Sequence, residues 1–238
     1  LRPPGDIRNC LAALSNDEAM LTQLFQYRFS GDSDLEGHSF GNLFITALSD
    51  ITGSFEEAVA ESGRVLSVSG RVLPSTLHDV KLVADIQLPH LPNEVRIQGE
   101  SKIPQAAGRV RRVWLEPNDA PAFPPVLKAI LSADLIVVGP GSLYTSILPN
   151  LLVRDLLASL HSSRALKIFV SNIATQAGET DAYSCHDHVR ALEEHLGEDM
   201  FDIVLCNENQ SASLPDGTAW VRADERSLSD ARVYCADL

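Results

Sequence analysis

The stretch Leu135-Ile136-Val137-Val138-Gly139-Pro140-Gly141-Ser142-Leu143-Tyr144-Thr145-Ser146 runs from four apolar residues through a glycine turn into a helical pattern. A short continuous apolar run bounded by glycine reads as a strand buried in a parallel sheet. In such a sheet the ligand crevice lies outside the carboxyl ends of the strands. A glycine turn that opens a helix presents N–H groups and the positive end of the helix dipole there. Phosphate suits that position, and Ser142, Thr145 and Ser146 add hydroxyl donors. The competing reading is a tight strand-to-helix turn with no ligand. Gly139 and Gly141 match the start of a dinucleotide fingerprint, but Tyr144 stands where its third glycine belongs, and no Gly-Lys-Ser/Thr follows to make a P-loop.

Outward from this stretch the same rhythm continues. Val126 to Leu131 is helical, Leu151 to Leu160 is helical, Ile168 to Val170 is a strand, and a helix is predicted from about Thr180 to Leu196. Ile203 to Leu205 and Val233 to Cys235 complete the strands. This alternation predicts an α/β fold around a mostly parallel sheet covered on both faces. Upstream the period changes to two: Val80, Leu82, Ala84 and Ile86 alternate with polar residues, as do Val95 and Ile97, and Val110 to Leu115 follows. These predict a partly antiparallel strand insertion over 70–118 within a single domain over 1–238. The first quarter is helical, marked by Leu11, Leu14, Leu21, Leu24 and Phe25 and by Leu43, Phe44, Ala47, Leu48 and Ile51. Asn16 or Asp17 suits the cap of the second helix, and Ser54 with Glu57 signs a helix running to about Leu66.

Composition bounds the partners. Lys plus Arg number 19 against 32 Asp plus Glu, and the net charge of -13 opposes binding to nucleic acid or to an anionic membrane through a general field. Any anion site must be local. No apolar run approaches the roughly 20 residues needed to cross a bilayer. Cys10, Cys185, Cys206 and Cys235 lie far apart without a C-x-x-C pair, which favours reduced, mostly buried thiols over a zinc ribbon or a disulfide scaffold. Leu1-Arg2-Pro3-Pro4 carries no initiator Met and reads as the middle of a longer protein.

Three further segments bear on chemistry. Pro4-Gly5-Asp6-Ile7-Arg8-Asn9-Cys10 begins a helix on which Asp6 and Asn9 share a face at i, i+3, beside Arg8 and the free amides of the first turn. An anion or a metal-bound phosphate fits there; the alternative is an ordinary N-terminal Asp with a surface Arg. Gly37-His38-Ser39-Phe40-Gly41-Asn42 matches the G-x-S-x-G expression of a hydrolase elbow, but the polar loop Ser30 to Glu36 stands where the required strand should be. His38, Ser39 and Asn42 at a helix start remain neutral donors for an oxyanion or a sugar. Cys185-His186-Asp187-His188, with His195, invites a metal; on a helix only His188 and His195 share a face, too far apart to chelate together, so a solvated helix face is the expectation.

Taken in order, Pro3 to Cys10, Gly37 to Leu43, Gly139 to Ile147, Pro149-Asn150-Leu151-Leu152-Val153 and Thr175-Gln176-Ala177-Gly178-Glu179-Thr180 resemble the gluconeogenesis factors of bacteria, relatives of the 2-phospho-L-lactate transferases of deazaflavin cofactor synthesis. The resemblance implies a Rossmann-like three-layer sandwich and a cytoplasmic protein. It also implies a regulator of carbon metabolism and of cell-wall or cell-shape control that binds a nucleotide-activated sugar such as UDP-N-acetylglucosamine. The implied ligand-binding residues are Gly5, Asp6, Arg8, Asn9, His38, Ser39, Asn42, Gly139, Pro140, Gly141, Ser142, Thr145, Ser146, Asn150 and Gln176. A transferase is the alternative, with Asp6 and Asn9 at the chemistry and Asp6 holding Mg2+ against a diphosphate. A homo-oligomer is compatible with either. Family members normally begin with a strand and glycine-rich loop and extend past this C-terminus, so both are expected to be missing from this chain.

Overall fold

Helix-forming apolar periodicity before residue 78 and strand-forming runs after it divide the chain into two compact units, Leu1–Leu77 and His78–Leu238. The structure, a computed structural model, describes residues 5–16, 19–31, 34–197, 199–230 and 232–238.

The first unit contains α1 (Gly5–Ala13), α2 (Ala19–Gln26), α3 (Phe40–Thr52) and α4 (Phe55–Val65). Ile7, Leu11, Phe25, Ile45, Val59 and Leu66 form its core. Two helix starts are fixed by serine caps: Ser39 accepts the amide of Asn42, and Ser54 accepts that of Glu57. Asp17, one proposed cap of α2, lies outside the described residues. Asn16, the other, hydrogen-bonds through its side chain to Ser69 and through its amide to Ser67.

In the second unit, β1 (Lys81–Gln87), β2 (Val95–Gln98) and β3 (Arg109–Glu116) form an antiparallel sheet in the order β2-β1-β3. Next come α5 (Pro124–Leu131), β4 (Leu135–Val138), α6 (Leu148–Leu151), α7 (Arg154–Ser162) and β5 (Leu166–Val170). The chain ends with α8 (Cys185–Leu196), β6 (Ile203–Asn207), α9 (Glu225–Ser229) and β7 (Val233–Ala236). The later strands form the expected parallel sheet, ordered β4-β5-β6-β7. Its inner face packs Phe169, Val204 and Cys206 against Leu156 and Leu160 of α7 and Val189 and Leu192 of α8. Helix α8 starts at Cys185 and not near Thr180, because Ser184 and Asp187 close a reciprocal capping box.

The opposite face of the sheet is more open within the second unit. Register places Leu135 beside Leu166 and Val137 beside Ile168. Leu135 and Val137 are 52% and 53% exposed, and Leu166 and Tyr234 are 43% and 56% exposed. Among the described residues β4 pairs only with β5. Four apolar residues read the same whether or not another layer covers them, so sequence pattern cannot make this distinction.

Candidate functional site

The residues singled out by sequence divide between the units: Gly5, Asp6, Arg8, Asn9, His38, Ser39 and Asn42 lie in the first, and the remainder in the second.

In the first unit the starts of α1 and α3 meet. A Cβ on Gly41 would stand 2.9 Å from Cγ of Arg8 and 2.6 Å from the carbonyl oxygen of Phe25, so the Arg8 side chain crosses α3 where only glycine leaves room. Antiparallel pairing of residues 27–29 with 37–40 carries Arg28 to the same place: Phe40 donates to the Tyr27 carbonyl at 2.8 Å, and Arg28 Nη1 donates to the Gly37 carbonyl at 2.5 Å. Burial, and then the nearby Arg28 guanidinium, push Arg8 below its ordinary pKa. Neither arginine forms an ion pair with a carboxylate among the described residues.

Arg8 Nη2 donates to Asn9 Oδ1 at 2.8 Å, but Arg8 Nε and Asn42 Oδ1 are buried with no partner among the described residues. An orphaned buried polar atom costs about 1–3 kcal/mol. Here a donor and an acceptor are both left open, the donor on Arg8, which the Arg28 guanidinium approaches. Ser39 is 1% exposed and serves as the helix cap, in keeping with the rejection of a nucleophile elbow. The His38 backbone joins the pairing with Phe29, while Asp6 is exposed on the first turn of α1. Arg28 was missed in the sequence because no motif contains it; the pairing of its strand-like segment with Ser39 was the only route to it.

The glycine turn of the second unit is differently occupied. Gly139 has φ +82°, and a Cβ there would meet the Val170 carbonyl oxygen at 2.6 Å, so this glycine is demanded by the fold. Gly141 carries no such demand, its Cβ position meeting nothing closer than 3.6 Å. Its amide, however, donates to Asn172 Oδ1 at 3.1 Å and its carbonyl accepts from Asn172 Nδ2 at 2.9 Å. Glu179, buried, accepts from the Tyr144 amide at 3.1 Å, the Thr145 hydroxyl at 2.7 Å and Gln176 Nε2 at 2.9 Å. The protein's own carboxylate therefore sits where the sequence reading places a phosphate, and Thr145, Gln176 and the Gly141 amide reach a ligand only by giving up these bonds. Burial raises the Glu179 pKa, opposed by the bonds from Thr145 and Tyr144. Asn150 donates to the Ser146 carbonyl at 2.7 Å, and Pro140 is exposed at the tip. The hydroxyls of Ser142 and Ser146 remain as donors. Glu179 lies in a motif read for Gln176 alone; its role needed the fold to bring it under the turn.

The expected solvated face around His188 is overturned. Cys185, His188, Val189 and Leu192 are buried, following the inward stripe of α8, and His188 Nδ1 bonds the Ser184 carbonyl at 2.9 Å. His195 Nε2 accepts the Val113 amide at 3.0 Å, which fixes the proton on Nδ1 facing the Ala191 carbonyl at 2.7 Å. No group of three or more His, Cys, Asp or Glu side chains suited to a metal ion occurs among the described residues. Nor is any helix among them long and apolar enough to cross a membrane.

Comparison with known proteins follows the same lines. A family model described as 2-phospho-L-lactate transferase CofD matches residues 1–237. The gluconeogenesis factor of Listeria monocytogenes is 40% identical over 97% of this chain and 71% of its own length. A relative from Nostoc sp. strain PCC 7120 is 52% identical over 89% of this chain, which spans 45% of that protein. A crystal structure of a UPF0052-family protein from Bacillus halodurans is similar with a TM-score of 0.86 at 38% identity, over 99% of this chain and 76% of that one.

Proposed function

The chain belongs to the 2-phospho-L-lactate transferase CofD family, together with the bacterial gluconeogenesis factors, and we propose that it is a regulator that binds a nucleotide-activated sugar. The observation that carries this reading is that two buried atoms of the first unit, Arg8 Nε near the Arg28 guanidinium and Asn42 Oδ1 in the first turn of α3, have no partner among the described residues. Guanidinium groups bind phosphate through charge-assisted, often bidentate hydrogen bonds. A buried carbonyl oxygen calls for a donor, which a sugar hydroxyl or an acetamido N–H supplies. A UDP-N-acetylglucosamine-type ligand offers both kinds of group in one molecule. The gluconeogenesis-factor relatives support a role linked to carbon metabolism, and we extend it to a cytoplasmic part in cell-wall and cell-shape control. Calorimetric titration with UDP-N-acetylglucosamine tests it: saturable heat that is lost in Arg8→Gln supports the reading, and absence of heat from every nucleotide sugar overturns it.

A second reading, group transfer, draws on the description of the family model. Asp6 offers a single exposed carboxylate on the first turn of α1. Magnesium commonly takes one or two carboxylates and completes its shell with phosphates and water, so Asp6 with a diphosphate is compatible with such an ion. Product analysis by mass spectrometry over diphosphate donors and acceptor alcohols, with and without magnesium, tests this reading. Magnesium-dependent product that disappears in Asp6→Asn supports it; no product from any pair counts against it.

A further inference from the structure

The second unit holds a cleft whose arginines lie outside all of the motifs. It has a polar chamber of about 270 Å³ between β3 and α8, lined by three arginines, Arg109, Arg111 and Arg190, by Tyr144 and Tyr183, and by two carboxylates, Asp187 and Glu194. A larger and less polar space of about 510 Å³ adjoins it, sharing Arg109, Tyr183 and Asp187, reaching Pro89 and Ala182, and bordered by Glu179 and Asp181. Together they have the size of a small-molecule site.

The arginines converge for local reasons. In the β1–β3 ladder Asp85 pairs with Arg112 and Ile86 with Val110, so Arg111 is the extra residue of a β-bulge. Bulges re-aim side chains at sheet edges. This one leaves Val110 and Val113 buried and turns Arg111 outward. Arg109 and Arg111 form no ion pair among the described residues, although the chain carries 32 carboxylates. Arg190 pairs with two carboxylates, 3.7 Å from Asp187 and 3.6 Å from Glu194, and is shared with them. Asp187 is itself committed to the Ser184 hydroxyl at 2.9 Å and the Ser184 amide at 3.0 Å.

The tyrosines add a donor. Their hydroxyls lie 2.8 Å apart, and since one hydrogen serves that bond, the other remains free to point away. The walls are fixed independently of any ligand. A Cβ on Gly178 would stand 2.0 Å from the Pro104 carbonyl oxygen, so the 176–180 loop presses directly on the segment before β3, and His195 holds α8 to the amide of Val113. Such preorganisation lowers the cost of binding.

We propose that this cleft is a second anion site, which takes a small phosphomonoester: the phosphate lies among Arg109, Arg111, Arg190 and the free tyrosine hydroxyl, and the organic part occupies the adjoining space. A tetrahedral dianion uses three guanidinium groups and a phenol more fully than a planar carboxylate does. The site is independent of the Arg8–Asn42 cluster, so each stands or falls alone.

Glycerol 3-phosphate is the probe, titrated calorimetrically into the whole chain at low and moderate salt. Saturable binding that weakens at least tenfold in Arg109→Gln/Arg111→Gln, weakens with added salt, and persists in Arg8→Gln is the expected result. The substituted arginines are exposed, and an unchanged circular-dichroism melt verifies the fold. Absence of saturable binding into the millimolar range overturns the proposal. So does unchanged affinity in the double variant, or binding lost only in Arg8→Gln. Competition by an acidic peptide in place of the phosphomonoester likewise overturns it.

Discussion

The carboxylate of Glu179 accepts the hydroxyl of Thr145 at 2.7 Å, joining residues 34 positions apart into one buried network beneath the glycine turn. The same carboxylate takes the Tyr144 amide at 3.1 Å. An acidic side chain here does what a bound anion does at a helix start: it satisfies amides that would otherwise be orphaned.

Removing that acceptor should destabilise the second unit. Glu179→Ala leaves the buried Tyr144 amide unpaired and is expected to cost about 1–3 kcal/mol in urea unfolding, with Glu179→Gln costing less because its amide oxygen still accepts. A loss below about 0.5 kcal/mol for the alanine variant would show that the network contributes little.

The same residue gives a pH dependence. Because burial raises its folded-state pKa above the unfolded value, its stabilising contribution is complete below the unfolded pKa and is lost as pH rises through the folded value. The difference in unfolding free energy between wild type and Glu179→Gln should therefore shift toward the variant as pH rises from about 4 to 7; a pH-independent difference would contradict this.

The buried histidines act in the other direction. Burial lowers the pKa of His188 and of His195, so their contribution is complete above the ordinary histidine range and is lost as pH falls through the folded values. Protonation also strips His195 Nε2 of its role as acceptor for Val113. Stability should fall on acidification below about 6.5, and His195→Gln should reduce that slope in a pH series of melts.

Asn42→Ala removes an acceptor that has no partner among the described residues. Stability should hold or rise slightly, while affinity for UDP-N-acetylglucosamine falls by a factor corresponding to about 1–2 kcal/mol. Parallel calorimetry and urea unfolding separate the two effects, and unchanged affinity removes Asn42 from the site.

The glycines of the turn should behave unequally. Gly139→Ala places a Cβ against the Val170 carbonyl at a backbone φ of +82° and is expected to cost about 1–3 kcal/mol, whereas Gly141→Ala should cost under about 1 kcal/mol. Equal losses in thermal melts would mean that the turn relaxes around either residue.

What the sequence determined by itself was local and periodic. The runs at Leu135, Ile168 and Ile203 announced parallel strands, the alternation at Val80–Ile86 announced the antiparallel ones, and Ser39 and Ser54 announced helix starts, because backbone geometry imposes these periods and caps on nearby residues. The ordered motifs also picked out Arg8 and Asn42 as residues of interest. Only the tertiary structure decided that these two keep open polar atoms among the described residues, that β4 pairs with β5, and that Cys185 and His188 face the core. It alone showed the glycine turn filled from beneath by Glu179. Pairing, burial and hydrogen-bond satisfaction are properties of residues far apart in the chain, and a local pattern carries no record of which distant partner arrives.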